Sequence, residues 1–155
     1  MNARRSTNDY SREMGIAIEA ASNSSLEVPV AAILYSGGGE LVSVGTNTRE
    51  STNDPTGHAE IMAIREGALA LNDWRLEGCT LVVTLEPCIM CAGAILASRI
   101  ETLVFGAFDL KEGAGGSVYD VLRDRRLNHS VEVVPGVLER ECSQLLSNFF
   151  GTKRS

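Results

Sequence analysis

The sequence lacks several features that would assign it to a large class of proteins. Among its 155 residues no apolar run approaches the ~20 residues of a transmembrane helix, so no membrane partner is expected. Residues 1–10 contain two arginines with no apolar stretch behind them, which is unlike a secretory signal, and we expect a cytoplasmic protein. Four cysteines in a chain of this length do not indicate a disulfide framework.

Internal repeats, low-complexity segments and linkers are also missing, while the composition is that of an ordinary globular protein. The chain is 44% hydrophobic and 22% charged, and its length suits one substantial core rather than two. We therefore predict a single domain over residues 1–155.

Basic residues are fewer than acidic ones. Lys and Arg number 14 against 20 Asp and Glu, and the net charge of −6 argues mildly against a nucleic-acid partner, because phosphate contacts need a basic surface. The basic residues gather late in the chain, where they form either a solvated face or a contact surface. They are Arg123, Arg125, Arg126, Lys153 and Arg154.

The hydrophobic pattern predicts helices and strands in alternation. This order favours an α/β fold, a three-layer α/β/α sandwich with a mixed five-stranded sheet whose first two strands form an antiparallel hairpin. The predicted elements are a helix over 8–21, strands over 30–35 and 41–44, a helix over 58–71, a strand over 80–85, a helix over 90–97, a strand over 103–107, a short helix over 118–122, a strand over 131–134, and a C-terminal helix with Leu138, Cys142, Leu145, Leu146 and Phe149 on one face.

Two of these helices are unusually apolar. Residues 58–71 carry apolar side chains on nearly every side, which predicts a buried helix. Residues 90–97 contain no charge, which predicts a central helix or one covered by a partner, and a homodimer would supply that partner.

Two short motifs carry groups that bind metals and transfer protons. His58 begins the predicted helix over 58–71, and Cys88 and Cys91 lie three residues apart in the first turn of the next helix. A helix N-terminus lowers the pKa of a thiol, so both cysteines are predisposed to bind a metal as thiolates. Imidazole and two thiolates are typical zinc ligands.

The ligand set indicates a catalytic site rather than a structural one. Structural zinc sites normally have four protein ligands, and the other histidine, His129, lies far along the chain. An open fourth position holds a water whose pKa zinc lowers to about 7. Glu60, two residues after His58, can take the proton of that water and return it to a substrate nitrogen and a leaving ammonia.

Other interpretations of these residues stay open from spacing alone. A Cys-x-x-Cys pair also serves redox chemistry or a structural metal site, and Glu60 could be an ordinary charge at a helix start. Cys79 opens a strand and Cys142 lies on an apolar helical face, so we interpret both as core thiols.

Longer segments carry a family resemblance. The pattern H-x-E followed by P-C-x-x-C is the signature of zinc-dependent nucleobase deaminases. DPTGHAEIMAIREG, TLVVTLEPCIMCAGAIL and SRIETLVFGAFDLKEGAGGSVYDVL, with Asn128-His129 and LLSNFF, closely resemble the bacterial tRNA-specific adenosine deaminases. The similarity runs from roughly Val28 to Phe150. The chain departs from that family at Gly57, where alanine is common, and at Phe108, where a basic residue is familiar.

This resemblance implies a cytidine deaminase-like fold, one Zn²⁺ per subunit and a homodimer. It implies hydrolytic deamination of adenosine to inosine at the wobble position, nucleotide 34, in the anticodon stem-loop of arginine tRNA. His58, Cys88 and Cys91 would bind the metal, and Glu60 would be catalytic. The substrate contacts that it implies are Asn47 on the purine ring, the Ala59 backbone N–H, the pocket walls Val28 and Leu85, the loop residues Asp109 and Lys111, and Phe150 stacking near a flipped base.

Two further functions compete with this one. A small-molecule deaminase acting on guanine, cytosine or a nucleoside would share the metal motif but would not need the late basic and aromatic residues. A non-catalytic, zinc-stabilised binding protein would have no reason to carry Glu60 beside an open ligand position.

Overall fold

The computed structural model describes residues 7–23 and 26–154, where a short 3-10 turn leads into four helices and five strands. The helices are α1 (Ser11–Ser22), α2 (Ala59–Leu71), α3 (Ile89–Ala97) and α4 (Glu139–Arg154), and the strands are β1 (Ala31–Tyr35), β2 (Leu41–Thr46), β3 (Thr80–Leu85), β4 (Thr102–Ala107) and β5 (Glu132–Val134). No helix in these ranges is both long and apolar enough to cross a membrane.

The five strands form one mixed sheet in the order β2-β1-β3-β4-β5. β1 is antiparallel to both β2 and β3, whereas β3, β4 and β5 are parallel. Ala31 pairs with Thr46, and Leu85 pairs with Ala107. The segments that precede β1 and follow β2, β3 and β4 therefore meet at one edge of the sheet, the place where ligands bind in open α/β sheets.

Helices cover both faces of this sheet. On one face α2 and α3 pack through Ala63 and Ile95 against strand residues such as Leu81 and Phe105. On the other face α1 and α4 enclose a second core that includes Met14, Ile33, Val82, Val104 and Cys142. The predicted three-layer α/β/α sandwich with a mixed five-stranded sheet is confirmed.

The prediction of a short helix over 118–122 is wrong, because this segment is irregular and contains an isolated bridge from Asp120 to Gly115. Gly116, just before this segment, has φ +130°, which a right-handed helix does not allow. The N–H of Ser117 donates to the side chain of Glu86 rather than to a backbone carbonyl. Leu122 is fully buried. The apolar pattern there reflects a loop that contacts the core, not a helix.

The burial predicted for α2 and α3 is only partly correct. α2 buries one face, which carries Ala63, and exposes the opposite one, where Leu69 is 79% exposed. α3 is an outer helix: Ile95 lies in the core, but Ile89 is 56% exposed. α3 is therefore not a central helix of this chain, and the alternative that a partner covers it stays a prediction.

Candidate metal centre and active site

His58, Cys88 and Cys91 converge at the ligand-binding edge of the sheet. The Nδ1 atom of His58 lies 3.6 Å from Sγ of Cys88 and 3.5 Å from Sγ of Cys91. A tetrahedral zinc ion with Zn–S bonds of about 2.3 Å and Zn–N bonds of about 2.0–2.1 Å would hold each sulfur about 3.6 Å from the nitrogen. The donor set and its spacing therefore fit one Zn²⁺ per subunit, held by three protein ligands.

The starts of two helices position these ligands. His58 and Cys88 are the N-cap residues of α2 and α3, and both have extended backbone conformations. Neither side chain makes a capping hydrogen bond, so each remains available to a metal. Cys91 is fully buried one turn into α3. The predicted placement of His58 and Cys88 at helix starts is confirmed.

The close approach of the two cysteines moves their pKa values in opposite directions. The Cys91 side chain donates to the Cys88 sulfur, and this hydrogen bond is the main reason why the pKa of Cys88 is lowered to about 5. The same hydrogen bond, with burial, raises the pKa of Cys91, which keeps the proton. Both cysteines bind a metal as thiolates, so metal binding releases the Cys91 proton to solvent.

Glu60 lies in the first turn of α2, beside the metal ligands. It is only 5% exposed, and burial raises the pKa of its carboxyl group, against the opposing effect of hydrogen bonds from its own backbone N–H and from Cys91. A carboxyl group with a raised pKa is suited to both accepting and returning a proton near neutral pH. The geometry thus brings an acid/base to an open metal site.

A cavity of about 170 Å³ opens beside the three ligands. It is comparable to a cavity of about 150 Å³ that holds benzene, so it can take a heterocyclic ring. Its walls include all but two of the residues predicted to contact substrate. Those brought together here are Val28, Asn47, Ala59, Leu85 and Asp109, with His58, Glu60 and Cys88 at one end.

Lys111 and Phe150 do not line this cavity. Lys111 is exposed two residues beyond Asp109, whose carboxylate accepts its backbone N–H at 3.0 Å. Phe150 is 47% exposed on α4 and packs edge to face against Phe149. The cavity therefore ends short of both residues.

The late basic residues have varied surroundings. Arg123 pairs with Asp120 at 3.1 Å, and Arg126 pairs with Asp124 at 2.6 Å, so acidic neighbours balance both charges. Arg125 is exposed. The side chains of Lys153 and Arg154 lie outside the described residues.

Several residues at the site were missed by the sequence prediction. Arg49, Glu86 and Glu112 also line the cavity, as does Val30. Glu86 adjoins the Pro87-Cys88 motif in sequence, which could have drawn attention to it. Nothing in the local sequence signals Arg49 or Glu112, because only the meeting of two loops at the sheet edge brings them to the cavity.

A buried glutamate also fixes the loop over 47–57, which leads to His58. Glu27 is 7% exposed and accepts the backbone N–H groups of Glu50 at 3.2 Å and Ser51 at 2.6 Å. Gly57 closes the same loop, since its carbonyl accepts the Thr48 N–H at 2.8 Å. A Cβ at Gly57 would lie 2.9 Å from the Thr48 hydroxyl oxygen, so the loop is tightly packed at this glycine.

Phe108, the second departure, packs edge to face on Phe105 with ring centroids 5.2 Å apart. It is 41% exposed next to Asp109 in the cavity wall.

Comparison with known proteins agrees with this site. Residues 7–107 match the family described as the cytidine and deoxycytidylate deaminase zinc-binding region. The chain is 52% identical over 124 residues to a tRNA-specific adenosine deaminase of Bacillus subtilis, covering 80% of this chain and 76% of that protein. It is 52% identical over 128 residues to one of Haemophilus influenzae, covering 83% and 74%.

A solved structure from work on A-to-I editing by tRNA:A34 deaminases superimposes with a TM-score of 0.80 at 36% identity, covering 90% of this chain and 99% of that one. The family match over residues 7–107 includes both metal-ligand motifs and strands β1 to β4. The chain is therefore an enzyme of the cytidine and deoxycytidylate deaminase family, and within that family it belongs with the tRNA-specific adenosine deaminases.

Proposed function

We propose that this enzyme hydrolyses adenosine to inosine and ammonia at the wobble position, nucleotide 34, of the anticodon of arginine tRNA. The observation that carries the proposal is a cavity of about 170 Å³ whose lining includes Glu60 and two of the three clustered metal ligands, His58 and Cys88. The names of the relatives support tRNA as the substrate class. The choice of arginine tRNA rests on the family resemblance.

The metal ligands and Glu60 carry out the chemical step. His58, Cys88 and Cys91 hold Zn²⁺, which when bound supplies a Lewis acid that activates a water molecule. Glu60 takes a proton as a C–O bond forms at adenine C6. It returns this proton to the ring nitrogen. It then takes the proton of the new C6 hydroxyl group and delivers it to the amino group, so that the C6 carbonyl forms, the C–N bond breaks and ammonia leaves.

The base is oriented by polar groups in an apolar slot. Oδ1 of Asn47 accepts the Arg49 backbone N–H at 3.1 Å, which leaves the amide NH₂ to donate to a purine ring nitrogen. The Ala59 N–H belongs to the uncapped first turn of α2 and can donate to the base. Val28 and Leu85 exclude water from the two faces of the ring.

The rest of the RNA would lie across the mouth of the cavity. Flipping a base out of a stack needs contacts beyond the base itself, and Asp109, Lys111 and the exposed ring of Phe150 are our candidates. Exposed Arg49 and Arg125 add positive charge, which a net charge of −6 otherwise makes scarce.

The test is inosine formation and ammonia release on an arginine tRNA anticodon stem-loop, with free adenosine, guanine and cytosine assayed in parallel. A stem-loop with guanosine at the wobble position is the matched control and should release no ammonia. Turnover confined to the wobble adenosine is the expected result. Turnover of a free base with the stem-loop untouched would contradict the choice of substrate and favour the small-molecule alternative.

We also propose that the single domain over 1–155 acts as a cytoplasmic homodimer that pairs through α3. The support is the uncharged run over 90–97 together with the exposure of Ile89 at its start. Ile89→Glu should lower the sedimentation coefficient to that of a monomer, whereas Leu69→Glu on the exposed face of α2 should not. A wild-type monomer at micromolar concentration would contradict the dimer.

A further inference from the structure

Glu86 is a second buried carboxylate next to the metal ligands, and it is fully occupied by one loop. It follows β3, two residues before Cys88, and is 2% exposed. Oε1 accepts the N–H of Asp109 at 3.0 Å and the hydroxyl of Ser117, while Oε2 accepts the N–H groups of Gly115 and Ser117, each at 3.0 Å. Four donors use the four acceptor positions that a carboxylate offers. Glu86 therefore has no capacity left for a metal or a substrate proton.

All four donors belong to the segment 109–117, which we call the Asp109 loop. Residues 109–117 belong to no helix and to none of the five strands, so their N–H groups need acceptors other than those of regular secondary structure. Its shape follows the Glu86 side chain closely: a Cβ at Gly113 would collide with the carboxyl group of Glu86. The Ala114 N–H also donates to the Pro87 carbonyl at 2.8 Å.

The Asp109 loop forms one wall of the cavity. Asp109 and Glu112 line it, and Oδ1 of Asp109 accepts the N–H groups of Lys111 and Glu112, each at 3.0 Å. The hydrogen bond from the Asp109 N–H to Glu86 ties this turn to the end of β3. The wall is thereby held at a constant distance from Cys88, because Glu86 and Cys88 belong to the same short segment.

We propose that Glu86 is a positioning residue that holds the Asp109 loop in its substrate-binding conformation before substrate arrives. The inference deepens the proposed function and rests on it for the identity of the substrate. Without Glu86 each substrate molecule would have to order the loop as it binds. The free energy needed for this ordering would weaken substrate binding. Loss of Glu86 should therefore raise KM, whereas loss of Glu60 should lower kcat.

The first test is hydrogen exchange on the zinc-loaded Glu86→Gln protein. The amide has the shape of the carboxylate, but in either orientation its NH₂ group faces a donor of the loop, so at least one loop N–H loses its acceptor. The amides of Asp109, Gly115 and Ser117 should exchange at least about tenfold faster, with zinc content and the amides of β3 unchanged. Unchanged protection of the loop would overturn the proposal, and this readout needs no substrate.

The second test is kinetic and uses the anticodon stem-loop. Glu86→Gln should lower kcat/KM by about 10- to 100-fold, mainly through KM, with kcat within about threefold of wild type. In an Asp109→Ala background the same substitution should have a much smaller effect on KM. The backbone N–H that Glu86 holds remains there, but the Asp109 side chain that this hydrogen bond positions in the cavity wall is gone. A fall confined to kcat, or full additivity with Asp109→Ala, would overturn the positioning role.

The chain offers a matched control in Glu27, which accepts two N–H groups of the opposite loop. The effect of Glu27→Gln should be additive with that of Asp109→Ala. Gly113→Ala provides a second approach should Glu86→Gln fail to fold, because the added methyl group collides with the carboxyl group of an intact Glu86 and with the Asp109 carbonyl of the loop. It should reproduce the faster exchange and the raised KM, and wild-type values for both would overturn the proposal. If the wild-type enzyme does not turn over the anticodon stem-loop but the amides of the Asp109 loop are protected from exchange, only the proposed substrate is refuted.

Discussion

Nδ1 of His58 lies 3.6 Å from Sγ of Cys88, although the two residues are 30 positions apart in the chain. Each occupies the N-cap position of a helix, and each helix follows a strand that ends at the same edge of the sheet. The metal centre therefore depends on the packing of α2 and α3 against one sheet.

Glu60→Gln should abolish turnover while leaving zinc in place. The substitution removes the proton acceptor but none of the three ligands, so metal content by atomic absorption should stay at one ion per chain. Loss of general acid/base catalysis should lower kcat by about 10²- to 10⁴-fold. Glu66→Gln, on the exposed face of the same helix, is the control and should retain full activity. Loss of zinc from the Glu60 variant would show that Glu60 is a ligand.

Cys88→Ala should lose the metal and with it much of the stability of the fold. A site left with two protein ligands binds zinc weakly, and zinc at about 1,000 times its dissociation constant stabilises a native state by about 4 kcal/mol. Atomic absorption and the thermal midpoint measure both effects. Cys79→Ala removes a thiol that is 2% exposed in the core, so it should keep one zinc per chain. A zinc-replete, active Cys88→Ala protein would refute the ligand assignment.

Gly45→Ala should displace α2 from the sheet. A methyl group at Gly45 in β2 would collide with the carbonyl of Ala59 and the backbone nitrogen of Ala63. We expect a loss of about 1–3 kcal/mol in the free energy of unfolding, measured in urea, and weaker zinc binding because His58 moves with the helix. At Gly15 in α1 a Cβ would meet nothing within 4 Å, so Gly15→Ala should stabilise by about 0.5–1 kcal/mol. Equal stability of the two variants would refute this account of Gly45.

The Cys142 thiol should make stability depend on pH in the alkaline range. Burial raises its pKa from 9.0 to about 12 in the folded protein. Between these values the unfolded chain releases the proton while the folded one keeps it, so the contribution is complete below pH 9 and is lost as pH rises toward 12. The advantage in stability of wild type over Cys142→Ala, measured by urea unfolding under reducing conditions, should shrink from pH 8 to pH 10.5. An advantage that stays constant would show that the thiol titrates alike in both states.

The sequence alone determined the groups that perform the chemistry and the order of the layers. Ligand chemistry requires particular atoms at short spacings, and His58, Glu60, Cys88 and Cys91 lie in two such motifs. Alternating strands and helices with apolar faces likewise restrict the chain to a sandwich around one sheet. Each of these properties is local in the chain, so it can be recognised without knowing which segments meet.

Tertiary structure alone decided which loops surround the cavity and what holds them there. Arg49 and Glu112 reach the cavity from loops that are remote in sequence, and only the strand order places those loops at one edge. The apolar residues over 118–122 suggested a helix, but the carboxylate of Glu86 takes the N–H groups that precede them and bends the chain into turns. Hydrogen bonds between distant residues override local preference in such a loop, because a buried acceptor left without donors costs more free energy than a short helix returns.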